Sequence, residues 1–184
     1  MAKYIIALRS PAPKPALLKD QGVHLTQLEV ARQTAIDKLG GIEHLPPVEF
    51  LELQSVRTRA EMAFLESLRL NTVEPGALFG LGWLNLRKKE FTPAASRFTA
   101  LIDSAHSLIP ADRKKYLGDS YENRAYALWY VSHDADKAFD DLKKSKAEAI
   151  TDGVLDAWKA KLESDADFGA LCVAEPSLKQ ALLA

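Results

Sequence analysis

Residues 74–98, EPGALFGLGWLNLRKKEFTPAASRF, decide how this chain folds. Gly80 and Gly82 lie inside a segment whose apolar residues otherwise have helical spacing. Such glycines belong either to a phosphate-binding loop or to a thin helix face that another helix approaches closely. A phosphate-binding loop follows a strand and ends in Gly-Lys-Ser/Thr at a helix start, and this stretch has neither feature. The sequence therefore favours close helix packing, with Gly80 and Gly82 on a thin face against Ala94 and Phe98 of the next helix, and with Gly82 as the closer contact.

Proline and turn residues divide the rest of the chain into amphipathic helices. Pro75 stands at a first helical position, where the missing N–H of proline costs nothing, and Thr92 with Pro93 repeats this logic. The predicted helices begin near Thr26, Pro46–Pro47, Pro75, Thr92, Asp112, Asp134 or Asp136, Thr151 and Pro176. Gly40–Gly41 is expected to end the first of them, and the helices that begin at Pro75, Thr92, Asp112 and Pro176 are expected to end near Lys89, Ile109, Val131 and Leu183. No convincing strand pattern follows residue 20, so the sequence predicts an all-α fold.

Composition excludes several classes of protein. The 184 residues are 47% hydrophobic and 27% charged, which fits one compact globular domain. The net charge of −1 is spread evenly, and this argues against nucleic-acid binding, which usually needs a basic surface. Cys172 is the single cysteine, so an intramolecular disulfide is impossible. The apolar run Tyr4–Leu8 is too short for a signal peptide or a membrane span, and we expect a cytoplasmic protein.

Two segments share a helix-pair pattern. In the first, Leu78-x-x-Leu81-Gly82 precedes Phe91-x-x-Ala94-x-x-x-Phe98. In the second, YENRAYALWY precedes a helix with Ala138, Leu142 and Ser145 at the same spacing, and Ala125 occupies the small position. These segments resemble the tetratricopeptide repeat (TPR), although Asn85 replaces the usual aromatic residue and Leu101 the usual small residue. Ala94 and Ala138 are 44 residues apart rather than the family's 34, a spacing that also suits HEAT-like helix pairs.

The end of the chain extends this resemblance. LESDADFGALCVAEPSLKQALL is similar to the closing segment of many bacterial TPR proteins, in which an acidic-aromatic loop and a proline precede a short terminal helix. The likeness is carried by Asp167, Phe168, Leu171, Pro176 and Leu182, whereas Leu178 replaces the usual aromatic residue. The resemblance covers residues 75–184 and implies a short α-solenoid of antiparallel helix pairs. We expect an extended segment over residues 1–20 and an N-terminal helical segment over residues 21–74 to precede it.

The resemblance also implies a function. In TPR proteins the first helix of each pair lines a concave surface that binds a protein or peptide. Carried over residue by residue, the partner-binding positions are Phe79, Trp83, Arg87, Asp119, Asn123, Tyr126 and Tyr130. Some of these rings could pack in the core instead. The leading hypothesis is a non-catalytic adaptor or scaffold that binds a protein or peptide through its concave helical face.

Two alternatives remain open. The same groove could serve an enzyme or a small-molecule binder if His106, Tyr116 and Asp119 lined a closed pocket. The chain could also be a structural subunit whose Tyr4–Leu8 segment docks onto another chain. Because about three repeats are usually needed for a continuous core, either the N-terminal helices cap the repeats or the protein self-associates. The sequence indicates no catalytic residues, metal or cofactor. The histidines do not pair on a helix face, and Asp165 and Asp167 lack the glycine and glutamate of a calcium loop.

Overall fold

A computed structural model of the chain describes residues 14–38 and 46–183. Within these ranges the structure contains helices and turns without a strand, which confirms the all-α prediction. The helices are α1 (Pro15–Lys38), α2 (Pro47–Leu70), α3 (Pro75–Arg87), α4 (Phe91–Asp103), α5 (Pro110–Ser132), α6 (Ala135–Thr151), α7 (Leu155–Ser164), α8 (Ala166–Ala174) and α9 (Pro176–Leu183). The most closely packed helices are neighbours in the chain, α1 with α2, α4 with α5, and α5 with α6, as in a helical-repeat arrangement. The expectations for Tyr4–Leu8, Gly40–Gly41 and His44 lie outside the described residues.

Prolines begin more of these helices than the sequence predicted. The first helical residue is a proline in five cases: Pro15, Pro47, Pro75, Pro110 and Pro176. The extended segment expected over residues 1–20 therefore does not reach residue 20, because α1 begins at Pro15. The expected cap Thr26 lies inside α1, where its hydroxyl donates to the Gly22 carbonyl at 3.0 Å.

Two other threonines expected to cap helices, Thr92 and Thr151, also lie inside helices. Thr92 lies in the first turn of α4, which begins at Phe91, and Thr151 is the last residue of α6, with its hydroxyl 2.9 Å from the Ala147 carbonyl.

The helix expected to reach Ile109 ends at Asp103, and a short 3₁₀ turn follows. The Ser104 hydroxyl donates to the Leu101 carbonyl at 2.7 Å, and such side-chain bonds compete with helix continuation.

Aspartate side chains cap two helices of the C-terminal part. Asp134 caps α6 by accepting from the Lys137 amide at 3.1 Å, which confirms one of the two predicted alternatives. Asp165 accepts from the amides of Asp167 and Phe168 at 2.8 and 2.9 Å, and helix α8 follows. The acidic-aromatic segment expected to be a loop is therefore a capped helix, because Asp165 satisfies its first free amides.

The chain divides into two compact units, the first ending at Leu84 and the second beginning at Asn85. In the first unit α1 and α2 pack along much of their length, and the fully buried ring of Phe64 lies between two glycines. A Cβ atom on Gly22 would lie 2.6 Å from Cδ1 of this ring, and one on Gly80 would lie 2.5 Å from Cε2. The sequence predicts that Gly80 faces the Thr92–Ile109 helix, whereas its Cβ position meets the Phe64 ring on α2.

A buried ion pair sets the register of α1 against α2. Glu29 on α1 is fully buried, and its Oε1 accepts from Arg57 Nε on α2 at 2.8 Å. Arg57 Nη2 also reaches the Gln33 side chain at 3.3 Å. Displacing α1 along α2 would leave a buried charge without its partner, which costs several kcal/mol. This pair therefore favours one alignment of the two helices.

The second unit is built on the α5–α6 pair, which the short helices α7 to α9 cover. The small positions of the predicted repeat, Ala125, Ala138 and Ser145, are all buried, as is Leu142. They meet a cluster from the last helices that contains Trp158, Leu162, Phe168, Leu171, Leu178 and Leu182. Small residues at a helix crossing are common to many helix pairs, so this packing does not by itself identify the repeat family.

We predict that Gly80→Ala destabilises the protein by about 1–3 kcal/mol, because the added methyl group overlaps a fully buried ring. Gly169→Ala is the matched control, since a Cβ there meets nothing within 4 Å. Alanine in an open helical position should stabilise by about 0.5–1 kcal/mol. Urea unfolding of both variants measures the difference. A Gly80→Ala protein as stable as the wild type would contradict the tight contact with Phe64.

Candidate functional site

The residues predicted to bind a partner are distributed over both compact units. Phe79 and Trp83 are half-buried on α3 in the first unit. Arg87 is exposed at the end of α3, in the part of the chain assigned to the second unit. All three side chains interact with other residues, so none of them is a free binding group.

The predicted residues on α5 take part in contacts within the second unit. Asp119 Oδ1 lies 2.8 Å from Lys161 Nζ, and Asn123 donates to the Asp119 carbonyl at 2.7 Å. Tyr126 is only 3% exposed and belongs to the core, so it takes the second of the two roles that the sequence left open. Tyr126 is therefore not a surface residue, whereas Asp119 is exposed and the Asn123 bond lies within α5 at the surface.

Tyr130 is also engaged. Its hydroxyl donates to Asp167 Oδ1 at 2.7 Å, and its ring stacks on Phe91 with 4.5 Å between centroids. The hydrogen bond to Asp167 raises the pKa of Tyr130 to about 12. Tyr130 therefore joins α4, α5 and α8, and a partner that used it would have to displace contacts already formed.

A polar cluster that the sequence did not indicate lies on the buried side of α5. Glu122 is almost completely buried, with Oε1 3.0 Å from Lys161 Nζ. Its Oε2 atom is buried and has no hydrogen-bond partner among the described residues. Burial raises the pKa of Glu122, although Lys161 opposes this shift. The Tyr126 hydroxyl lies one turn further along the helix, and burial likewise raises the pKa of Tyr126.

The hollow beside Asp119 does not bring together the three residues expected for an enzyme pocket. A hollow of about 220 Å³ adjoins Asp119 and is lined by residues of α5 and α6 and by Trp158. Tyr116 is buried elsewhere on α5, and His106 is exposed on the 3₁₀ turn. Neither residue lines this hollow, which is also smaller than the roughly 300–1,000 Å³ of ordinary ligand pockets.

A row of exposed side chains, many of them apolar, follows one side of α2 in the first unit. Its residues alternate at spacings of three and four, and all are exposed: Val48, Leu51, Ser55, Thr58, Met62, Leu65 and Arg69. We call this set the outer face of α2. Leu53, Val56 and Ala60 form the buried stripe of α2. Each of these residues is two positions away from an outer-face residue, so the stripe lies about 200° around the helix axis from the outer face.

This face is strongly apolar for a surface. Val48, Leu51 and Met62 are 66%, 65% and 64% exposed, and Leu65 is 44% exposed. Beside Met62 and Leu65 a groove of about 680 Å³ runs between α1 and α2. The lining residues of the groove are Leu18, Gln21, Arg59, Met62, Ala63, Leu65, Glu66 and Arg69. Its volume lies within the range of ordinary binding pockets.

Polar groups at the groove are incompletely paired. The Gln21 Oε1 atom is buried there without a hydrogen-bond partner in the described part of the chain. Arg59 is exposed at the rim and forms no ion pair with any residue that the structure describes.

Sequence reasoning found only the buried stripe of α2. The three-and-four spacing from Val48 to Arg69 was the signal that could have revealed the second, outer stripe.

No known family model, curated protein or solved structure matches this chain. The resemblance to TPR proteins therefore remains a prediction. In the described residues no group of three or more histidine, cysteine or acidic side chains is arranged to hold a metal ion. No described helix combines the length and the hydropathy needed to cross a bilayer.

We predict that the stability gained from Glu122→Gln increases with pH. Glu122 has a folded-state pKa above its ordinary value of 4.5, so its stabilising contribution is complete below that value. The contribution is lost as pH rises through the higher folded-state pKa, because the buried carboxylate must then ionise. Glutamine cannot ionise and avoids this loss.

The measurement is urea unfolding of wild type and variant at several pH values between about 4 and 8. Glu163→Gln on α7 is the control, because it makes the same substitution at an exposed position. A Glu122→Gln stability difference that stays flat or decreases with rising pH would show that the ionised Glu122 is not penalised by burial.

Proposed function

We propose that this protein is a non-catalytic interaction module, a TPR-like helical adaptor or scaffold that binds a protein or peptide in the cytoplasm. The observation that carries the proposal is the outer face of α2. Four large apolar side chains stand exposed along one side of a well-packed helix, and exposed apolar patches of this kind often mark protein interaction sites.

The energetics of the face favour a macromolecular partner. Complete burial of a Val, Leu or Met side chain contributes about 1.5–3 kcal/mol. Several such side chains in one row supply enough free energy to offset the cost of association. The row extends over most of α2, a length that suits another helix or an extended segment better than a small molecule.

The scaffold behind the face is ordered before binding. Phe64 fills the space beside Gly22 and Gly80, and Arg57 is tied to Glu29 across α1 and α2. A partner that binds the outer face therefore loses little free energy in ordering α2. Preorganisation of this kind increases affinity without any added contact.

The concave surface expected from the family is the second surface that a partner could use. Asp119, Asn123 and Tyr130 already hold internal contacts, and Tyr126 is in the core. Trp83, half-buried on α3, is therefore the residue on which this surface is best tested.

We predict that a photo-crosslinking amino acid at Met62, in the full chain expressed in its native host, forms adducts with a protein partner. The same amino acid at Val173, 84% exposed on α8, is the control and should form few adducts. The partner identified by mass spectrometry is then produced separately and titrated by calorimetry. Met62→Asp should weaken its binding at least about tenfold, and Val173→Asp should leave it unchanged.

The same titration separates the two surfaces. Weakening by Trp83→Ala without an effect of Met62→Asp, with both variants folded by circular dichroism, would place the partner on α3. Absence of adducts at Met62 above the level at Val173 would overturn the assignment to α2. A partner that also binds Met62→Asp with wild-type affinity would overturn it as well.

A further inference from the structure

We propose that the outer face of α2 binds the same face of a second copy of this chain, with the two α2 helices antiparallel. This inference rests on the proposed function, because it names the partner of the same surface. The spacing of the face is that of a coiled-coil seam, in which positions three and four residues apart meet a facing helix. From Val48 to Arg69 this spacing continues for three heptads.

The face is complementary to itself in the antiparallel orientation. In this dimer the two-fold axis is perpendicular to α2, on its outer side, level with the midpoint between Val56 and Arg57. Leu51 then faces the partner's Met62, and Val48 faces the partner's Leu65. Each large apolar residue then meets another large apolar residue. At the centre Ser55 meets the partner's Thr58, and these small side chains let the two helices approach closely where the axis passes.

Charges beside the seam favour the same arrangement. Glu52 and Arg59 each follow an apolar or small seam position by one residue, and in the antiparallel orientation Glu52 lies beside the partner's Arg59. Symmetry forms this pair twice. Arg59 has no ion pair among the described residues of its own chain, and Glu52 has only an exposed one with Arg32 at 3.2 Å. Exposed pairs contribute little, so Glu52 can turn to the partner.

A parallel orientation is less favourable. It would place Glu61 beside the partner's Glu66, twice by symmetry, and it would leave Glu52 without the partner's Arg59. Residues that flank a coiled-coil seam determine helix orientation through such pairs. The charge pattern therefore selects the antiparallel dimer.

The size of the surface predicts a weak dimer. Helix α2 has 24 residues, which correspond to a length of about 36 Å, and a helix is about 10 Å wide. The projected contact is on the order of 400 Å² per protomer, about half of the roughly 800 Å² of a standard interface. We therefore expect dimerisation that depends strongly on concentration.

Sedimentation velocity of the full chain, up to about 0.5 mM, tests the proposal, since even a weak dimer is populated there. Arg59→Glu places two acidic pairs across the seam, and Glu52→Arg places two basic pairs there. Each single variant should self-associate at least about tenfold more weakly than wild type. An equimolar mixture of the two variants should dimerise again, because both pairs are then complementary.

Controls keep the outcome interpretable. Lys143→Glu, an exposed charge reversal on α6, should leave self-association unchanged, and thermal unfolding by circular dichroism checks that each variant folds. A wild-type chain that stays monomeric at the highest concentration overturns the proposal. A dimer that neither single variant weakens, or that the mixture does not restore, overturns it too. Monomers that still crosslink another protein at Met62 would refute self-binding and leave the proposed function intact.

Discussion

The ring of Phe64 is the constraint on which the first unit depends. It is fully buried on α2, and it lies so close to Gly22 of α1 and Gly80 of α3 that neither glycine has room for a Cβ atom. Three helices thus share one side chain, and two of them must be thin where they meet it. Protein interiors are packed too densely to absorb an added methyl group at such a point without strain. Close helix packing, not phosphate binding, accounts for Gly80.

The same constraint explains why α2 has a free side. Phe64 fixes which side of α2 points inward, and the ion pair between Arg57 and Glu29 fixes its alignment with α1. A helix of 24 residues with its buried stripe settled in this way must present the opposite side outward. On that side a soluble helix ordinarily has charged residues. Apolar side chains from Val48 to Leu65 instead make the surface suitable for another helix.

Local signals in the sequence predicted much of the fold. Pro47, Pro75 and Pro176 mark helix starts because proline fixes the backbone angle and needs no hydrogen bond there. Thr151 was misleading, since its hydroxyl bonds back to its own helix instead of capping the next one. The pairing of Phe64 with Gly22 and Gly80 was out of reach, because it joins residues far apart in the chain. The three-and-four spacing of the outer face was visible in the sequence. The buried stripe has the same spacing on the same helix, so the spacing alone does not separate the two faces.

The candidate site was harder to predict because the resemblance supplied positions without their surroundings. It assigned Asp119, Tyr126 and Tyr130 to an open surface, whereas α7 and α8 lie against this side of α5 and engage them. Lys161 and Asp167, the residues that hold Asp119 and Tyr130, belong to those later helices. Here α7 and α8 engage side chains that an open helical groove would leave for a ligand. The proposed binding function therefore relies on a surface that packing has not used, the outer face of α2.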